Sequence, residues 1–283
     1  MTITLLATLD HVVINVRGAL DQASAQWKRL GFSLTERGHH SLGTSNHLSI
    51  FHENYVELLG FEPEQARAAQ ELKEVPIGLN GLVFKTTDAR KLFEEIRTTG
   101  LRAEHPVEFH RPVRIAAGQR EAAFRTVRLG AGLVKDGRTF FCDHLTPELV
   151  WRDEWQKHPN EVVDVIGFVI ASADPVHSVA LYQRLFGSKL QLETIDGGVA
   201  FKAGRAHVQF ITPGSAEARF GPVETADDGS ERNVALIFAT RSLSALFCVL
   251  SANNVPFVNT EENRIVVRAA DALGVALEFF GPR

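Results

Sequence analysis

Leu9-Asp-His-Val-Val-Ile-Asn-Val16 is an apolar, strand-like run, and the chain repeats its character three more times. The later copies are Leu79-Asn-Gly-Leu-Val-Phe-Lys85, Val165-Ile-Gly-Phe-Val-Ile-Ala171 and Asn233-Val-Ala-Leu-Ile-Phe-Ala239. A helical pattern follows each one. In the first, Ala23, Trp27 and Leu30 fall at i, i+4 and i+7 before Gly31. Leu92, Phe93 and Ile96 mark the second helix, from Asp88 to Thr99 with Gly100 as its stop. Val176, Val179, Ala180 and Leu185 mark the third, before Gly187. Leu243, Leu246 and Leu250 mark the fourth, which begins at Ser242. Each unit then closes on a short strand: Tyr55 to Gly60, Phe140 to Leu145, His207 to Thr212 and Ala276 to Gly281. Shorter strand patterns, such as His47 to Phe51 and Arg264 to Arg268, lie between helix and closing strand. The unit is therefore β-α-β-β-β, used four times. One unit leaves an apolar sheet face open, whereas two side by side can bury it. The expected fold is α+β, with four βαβββ modules in two paired domains, residues 1–150 and 163–283. A linker over 151–162 holds Trp151, Trp155 and the His158-Pro-Asn160 turn, with the two tryptophans placed on one short helix.

Composition narrows the function classes. At 283 residues the chain exceeds the roughly 100–200 of a single domain. Its 45% hydrophobic and 23% charged residues exclude disorder and coiled coil. A net charge of −4 argues against nucleic acid as a partner. Cys142 and Cys248 are the only cysteines, too few for a disulfide framework or a four-cysteine zinc site. The start lacks the basic region of a signal peptide, and no apolar stretch is long enough to span a membrane. A cytoplasmic protein is expected, with a small-molecule substrate as partner, no nucleic acid, no membrane, and a homodimer as an open option.

A paired βαβββ unit around a cleft resembles the vicinal oxygen chelate superfamily, which includes glyoxalase I, extradiol dioxygenases and bleomycin-resistance binding proteins. The resemblance is sharpest over residues 9–60. There Leu9-Asp-His-Val-Val13, Gly38-His-His-Ser-Leu-Gly-Thr-Ser-Asn46 and Tyr55-Val-Glu-Leu58 look like the glyoxalase-like domain family. The resemblance implies a divalent metal at the base of the cleft, acting as a Lewis acid on a substrate with two adjacent oxygens. It also implies ligands at the third residue of each opening segment and near the end of each closing strand. His11 and Glu57 occupy the first two of these places, and suit Fe, Mn, Ni or Zn. In the second unit Gly81 stands where a histidine is expected, and the closing strand offers Asp143 and His144. Strand alternation sends these neighbours to opposite faces, so only one of them points into the cleft. The second domain offers Gly167, Gln209, Ala235 or Val234, and Glu278, and reads as a degenerate cleft or structural support.

The residues themselves add chemistry. Glu57, between Val56 and Leu58, is a carboxylate in a buried-type strand, which costs several kcal/mol unless a cation or metal meets it. Arg37 is the alternative partner, and a hydrogen-bonded core histidine is the alternative reading of His11. His39, His40, His47 and His52 crowd one segment, but no helical i, i+4 pairing makes them a metal motif. The Gly38–Asn46 loop is expected over the cleft mouth, with His39 and Asn46 touching substrate. Glu57 or His39 is the candidate catalytic base. Arg125 and Arg128 are candidates for holding a substrate carboxylate, with Arg111 and Arg114 ranked behind them. Cys142 reads as a buried thiol. Two functions follow: a metal-dependent lyase, isomerase or dioxygenase, or a metal-free protein that binds or sequesters a small molecule.

Overall fold

Alternating and fully buried apolar runs become strands wherever the sequence repeats them, and four of the described helices start at polar caps, whereas the first helix starts at Ala19. A computed structural model describes residues 6–65, 70–260 and 263–282. The first half runs β1 (Leu9–Arg17), α1 (Leu20–Arg29), β2 (Gly38–His39), β3 (Ser45–Ile50), β4 (Tyr55–Gly60) and α2 (Gln70–Glu74). It continues through β5 (Gly78–Thr86), α3 (Ala89–Thr98), β6 (Val107–Ile115), β7 (Gly118–Arg128) and β8 (Arg138–His144). The second half runs β9 (Val162–Ala171), α4 (Pro175–Phe186), β10 (Leu192–Ile195), β11 (Gly198–Ala203), β12 (Ala206–Ile211) and α5 (Pro213–Phe220). It ends with β13 (Arg232–Thr240), α6 (Leu243–Ala252), β14 (Val258–Thr260), β15 (Arg264–Val267) and β16 (Ala276–Phe280). Asp88, Asp174 and Ser242 cap α3, α4 and α6 by accepting from the backbone N–H three residues on.

The architecture is α+β, with four βαβββ modules in two pairs. Each pair forms one eight-stranded sheet, ordered β2-β3-β4-β1-β5-β8-β7-β6 and β10-β11-β12-β9-β13-β16-β15-β14. Within a module the opening and closing strands are parallel, and the two modules meet through the antiparallel pair β1·β5 or β9·β13. Across β1·β5, His11 faces Val83 and Val13 faces Gly81, so a local two-fold relates residue 11 to residue 81. The first sheet curls until its edges touch. Ser41 N donates to His110 O at 2.9 Å, and His110 N donates to Ser41 Oγ at 3.2 Å.

The concave face of that sheet carries Val13, Leu48, Tyr55, Val83, Phe124 and Phe140. Its other face packs against the helices and the second half in one continuous core. Phe32 lies 5.2 Å from Phe238 between ring centroids, and Phe84 lies 5.1 Å from Phe186. The connection differs from the single short helix expected for Trp151 and Trp155. Pro147–Leu149 and Asp153–Trp155 are separate 3-10 turns with Trp151 between them. Trp151 turns inward, its ring 4.7 Å from His144 and 5.9 Å from Tyr55. No helix among the described residues is long and apolar enough to cross a membrane.

Candidate active site

The site begins with an irregularity in β1. Leu9 pairs with Phe84 and His11 with Val83, which leaves Asp10 as the extra residue of a bulge. In a regular strand Asp10 and His11 would point to opposite faces; a bulge re-aims one of them. His11 Nδ1 lies 2.6 Å from Asp10 Oδ2, and His144 Nε2 lies 2.9 Å from the same oxygen. An ionised carboxylate only accepts, so both imidazoles donate to it. His11 thereby carries a proton on Nδ1 and turns Nε2 outward. Burial pushes the Asp10 carboxyl up, but the charges and hydrogen bonds of His144 and His11 outweigh it and hold Asp10 well below the usual carboxylate range. The His11 ring is stacked on Tyr55 at 4.3 Å.

Glu57, on β4, meets this imidazole from the side. Its Oε2 is 3.8 Å from His11 Nε2, too long for a hydrogen bond. Its Oε1 accepts from Asn46 Nδ2 at 2.6 Å, and His40 Nε2 stands 3.9 Å away. His40 Nδ1 is 2.7 Å from Thr44 Oγ1. Burial lowers the His40 pKa to about 4 against the opposing pull of Glu57, so His40 is neutral at pH 7. Above these groups opens a cavity of about 320 Å³, walled by Leu42, Leu48, Leu59, Phe109, Phe124 and Phe140. Such a volume suits a small organic ligand.

The donor set fits a metal in part. The 3.8 Å between His11 Nε2 and Glu57 Oε2 can be closed by two ligand bonds of about 2.0–2.2 Å, and a metal-bound histidine characteristically donates its other N–H to a carboxylate, as His11 does to Asp10. The two-fold mates of these residues supply nothing. Gly81 replaces His11, and a side chain there would come within 2.7 Å of Val13 Cβ. Glu57 pairs with Val13, and its mate, paired with Val83, is Phe140. Asp10, His11 and His144 also offer three ligand atoms within 4.8 Å of one another, a group that could hold an ion. Two of those contacts are already hydrogen bonds, and Asp10 is fully buried behind the cavity floor.

Several sequence candidates sit elsewhere. His144 takes the cleft side of β8 but stops behind the floor, bonded to Asp10. Asp143 takes the helix side, where Oδ2 accepts from Ala89 N at the start of α3. It is Phe140, not Asp143, that register matches to Glu57. Arg125 also lies on the helix side, paired with Glu108 at 2.8 Å and 3.7 Å from Asp143; Arg128, three residues on, lines the cavity. His39 is exposed and bonded to Ser45 Oγ, whereas His40 and Asn46 line the cavity. Across the β2–β3 hairpin Gly38 pairs with Asn46 and His39 with Ser45, so an inward Asn46 brings His40, not His39, to the cleft. That pairing was the signal available for His40. Nothing in the sequence pointed to Asp10, because a bulge has no signature in strand alternation. Arg37 pairs with Asp21 and Glu62, not with Glu57.

The second cleft is filled. Gln209 occupies the place of Glu57, and Glu278, at the place of Phe140, is fully buried and held by Arg219 and Arg264. Gln209 accepts from Arg219 at 2.9 Å, and α5 buries Ala216 and Phe220 against the concave face.

A family model described as a glyoxalase-like domain matches residues 9–186. The chain belongs to the glyoxalase-like domain family. The matched span holds the bulge, His11, Glu57 and the whole first sheet. A search of curated protein sequences returns no match. Among solved structures, a hypothetical protein from Staphylococcus aureus is similar at 12% identity and TM-score 0.69, covering 98% of this chain and 100% of that one. A mutant of 4-hydroxymandelate synthase from Streptomyces coelicolor is similar at 14% identity and TM-score 0.62, covering 96% and 92%. A fusion of a xylose isomerase-like TIM barrel with 4-hydroxyphenylpyruvate dioxygenase is similar at 10% identity and TM-score 0.60, covering 97% and 48%. At these identities the likeness is one of fold, the paired vicinal-oxygen-chelate architecture.

Proposed function

We propose that this glyoxalase-like protein is an enzyme of glyoxalase or dioxygenase type, acting on a small substrate with vicinal oxygens in the cleft of the first sheet. The observation that carries the reading is the convergence of His11 Nε2 and Glu57 Oε2, 3.8 Å apart and unbonded to each other, at the floor of the cavity. His11 and Glu57 would hold a divalent ion; Fe, Mn, Ni and Zn all suit an imidazole with a carboxylate. When bound, such an ion polarises a substrate oxygen as a Lewis acid. Asp10 fixes the tautomer of His11, and Asn46 holds the orientation of Glu57. His40, kept neutral by burial, stands beside Glu57 as a proton acceptor. The fold shared with the structural neighbours, among them a synthase and a dioxygenase, supports this reading.

The test is metal content of the purified protein after loading with each ion in turn, with melting measured before and after a chelator. Wild type is expected to retain one ion and to melt several degrees lower once it is stripped, because an ion bound only by the folded state stabilises it by mass action. His11→Ala and Glu57→Gln should retain none. A wild type that holds no metal and melts unchanged would overturn the reading. That result would favour a metal-free binding protein, which Gly81 and Phe140, at two of the four ligand places, support.

A further inference from the structure

Arg111 is a buried charge in the cleft that no role yet uses. On β6, Phe109, Arg111 and Val113 alternate onto the concave face. Arg111 is 2% exposed and lines the cavity. Its Nε and Nη2 have no hydrogen-bond partner among the described residues. No ion pair joins it to Glu57 there either, although Glu57 is near enough to act on it electrostatically. A guanidinium always carries its charge, and burying one without an acceptor is costly. The fold nevertheless makes room for it. A Cβ at Gly38 would lie 2.7 Å from Arg111 Nη1 and 3.0 Å from its Cδ, so the cationic group occupies space that the missing side chain leaves. Nε–H and Nη2–H form one edge of the guanidinium, and that edge presents two parallel donors to a carboxylate. The wall is otherwise mixed, with apolar Leu48, Leu59, Phe109 and Phe124 beside the charged Glu57, Arg128 and Arg138.

We infer that the cavity takes an organic anion, a carboxylate on an aliphatic or aromatic body, with Arg111 as its counter-ion. The inference names the substrate class of the site proposed above; it rests on that cleft being the binding site and not on the metal. The carboxylate replaces the acceptors Arg111 lacks, and the body replaces water against Leu48, Leu59, Phe109 and Phe124. Arg111 is thus a specificity residue.

The test is calorimetric titration of the full chain with phenylacetate and hexanoate against their neutral amides, on both metal-loaded and chelator-treated protein. At least one acid is expected to bind tenfold or more tightly than its amide in the chelator-treated protein, where no ion can account for the preference. Arg111→Met should abolish the preference and also melt higher than wild type, since it removes an unpaired buried charge; Arg111→Lys should keep part of it. Acids that bind no better than amides, or a preference that survives Arg111→Met, would overturn the inference. So would an Arg111→Met variant that melts lower, which would mark Arg111 as a structural cation. A protein that retains no metal but still prefers the acids would refute the metal reading and leave this one standing.

Discussion

Glu57 and Glu278 are the same residue type at the same place in two closing strands, and their neighbours decide their fates. Two guanidiniums neutralise Glu278, and α5 packs over it; Glu57 has an amide, two imidazoles and a cavity. The oddness of a carboxylate between Val56 and Leu58 was legible in the sequence, because the cost of burying charge does not depend on the fold. Which partner meets it was not, since Asn46, His11 and His40 come from three other stretches of chain. Asp10 is the sharper case. Strand alternation hides it on the helix side, and the bulge brings it beneath His11. Asp10→Asn removes the charge that orients both imidazoles. The variant is expected to keep its fold and to lose metal affinity by about 10–100-fold, as loss of a carboxylate behind a metal-bound histidine does. Competition against a chelating dye at fixed pH measures it, and an unchanged affinity would remove Asp10 from the site.

Elements were the most legible level. Period-2 and period-3.6 apolar patterns, with Asp88, Asp174 and Ser242 as caps, identify strands and helices without tertiary knowledge. Alternation also separates Asp143 from His144, but it cannot say which face is concave. Gly81 shows the same limit. As sequence it is a missing ligand; as structure it is where β5 passes Val13 of β1 with no space for a side chain. Gly167 stands against Ile237 in the second sheet in the same way. Gly81→Ala should therefore destabilise by about 1–3 kcal/mol through overpacking, without any gain in metal binding. Urea unfolding reads the cost, and a neutral substitution would show that the two strands can part.

At the scale of the molecule, the two sheets share one core, and residues 151–162 are fastened to it instead of hanging between domains. His158 is the fastening. Ser33 N donates to its Nδ1 at 3.0 Å, and its Nε2 donates to Ile50 O at 2.8 Å, a pattern only the neutral ring can satisfy. Burial lowers its pKa below the ordinary 6.5, with the Ile50 bond opposing. The unfolded chain therefore takes up this proton first as pH falls. Its contribution to stability is complete above about pH 6.5 and declines below that, by at most about 1.4 kcal/mol per pH unit. His40 adds a slope of the same sign between about 6.5 and 4. Urea midpoints at pH 7.5 and 5 should fall together in wild type and fall less in His158→Gln. Equal slopes in the two proteins would show that His158 does not titrate with unfolding.

The sequence by itself determined the repeat, the α+β class, the pairing of modules, and the unusual standing of His11 and Glu57. All of these follow from local periodicity and from the cost of placing charge in an apolar strand. Only the tertiary structure decided that Asp10 backs His11, that His40 and Arg111 face the cavity while His39 and Arg125 do not, and that the second cleft is filled. Those outcomes depend on a bulge, on which sheet face is concave, and on where distant strands meet. Each is fixed by packing between segments far apart in the chain, which no local pattern encodes.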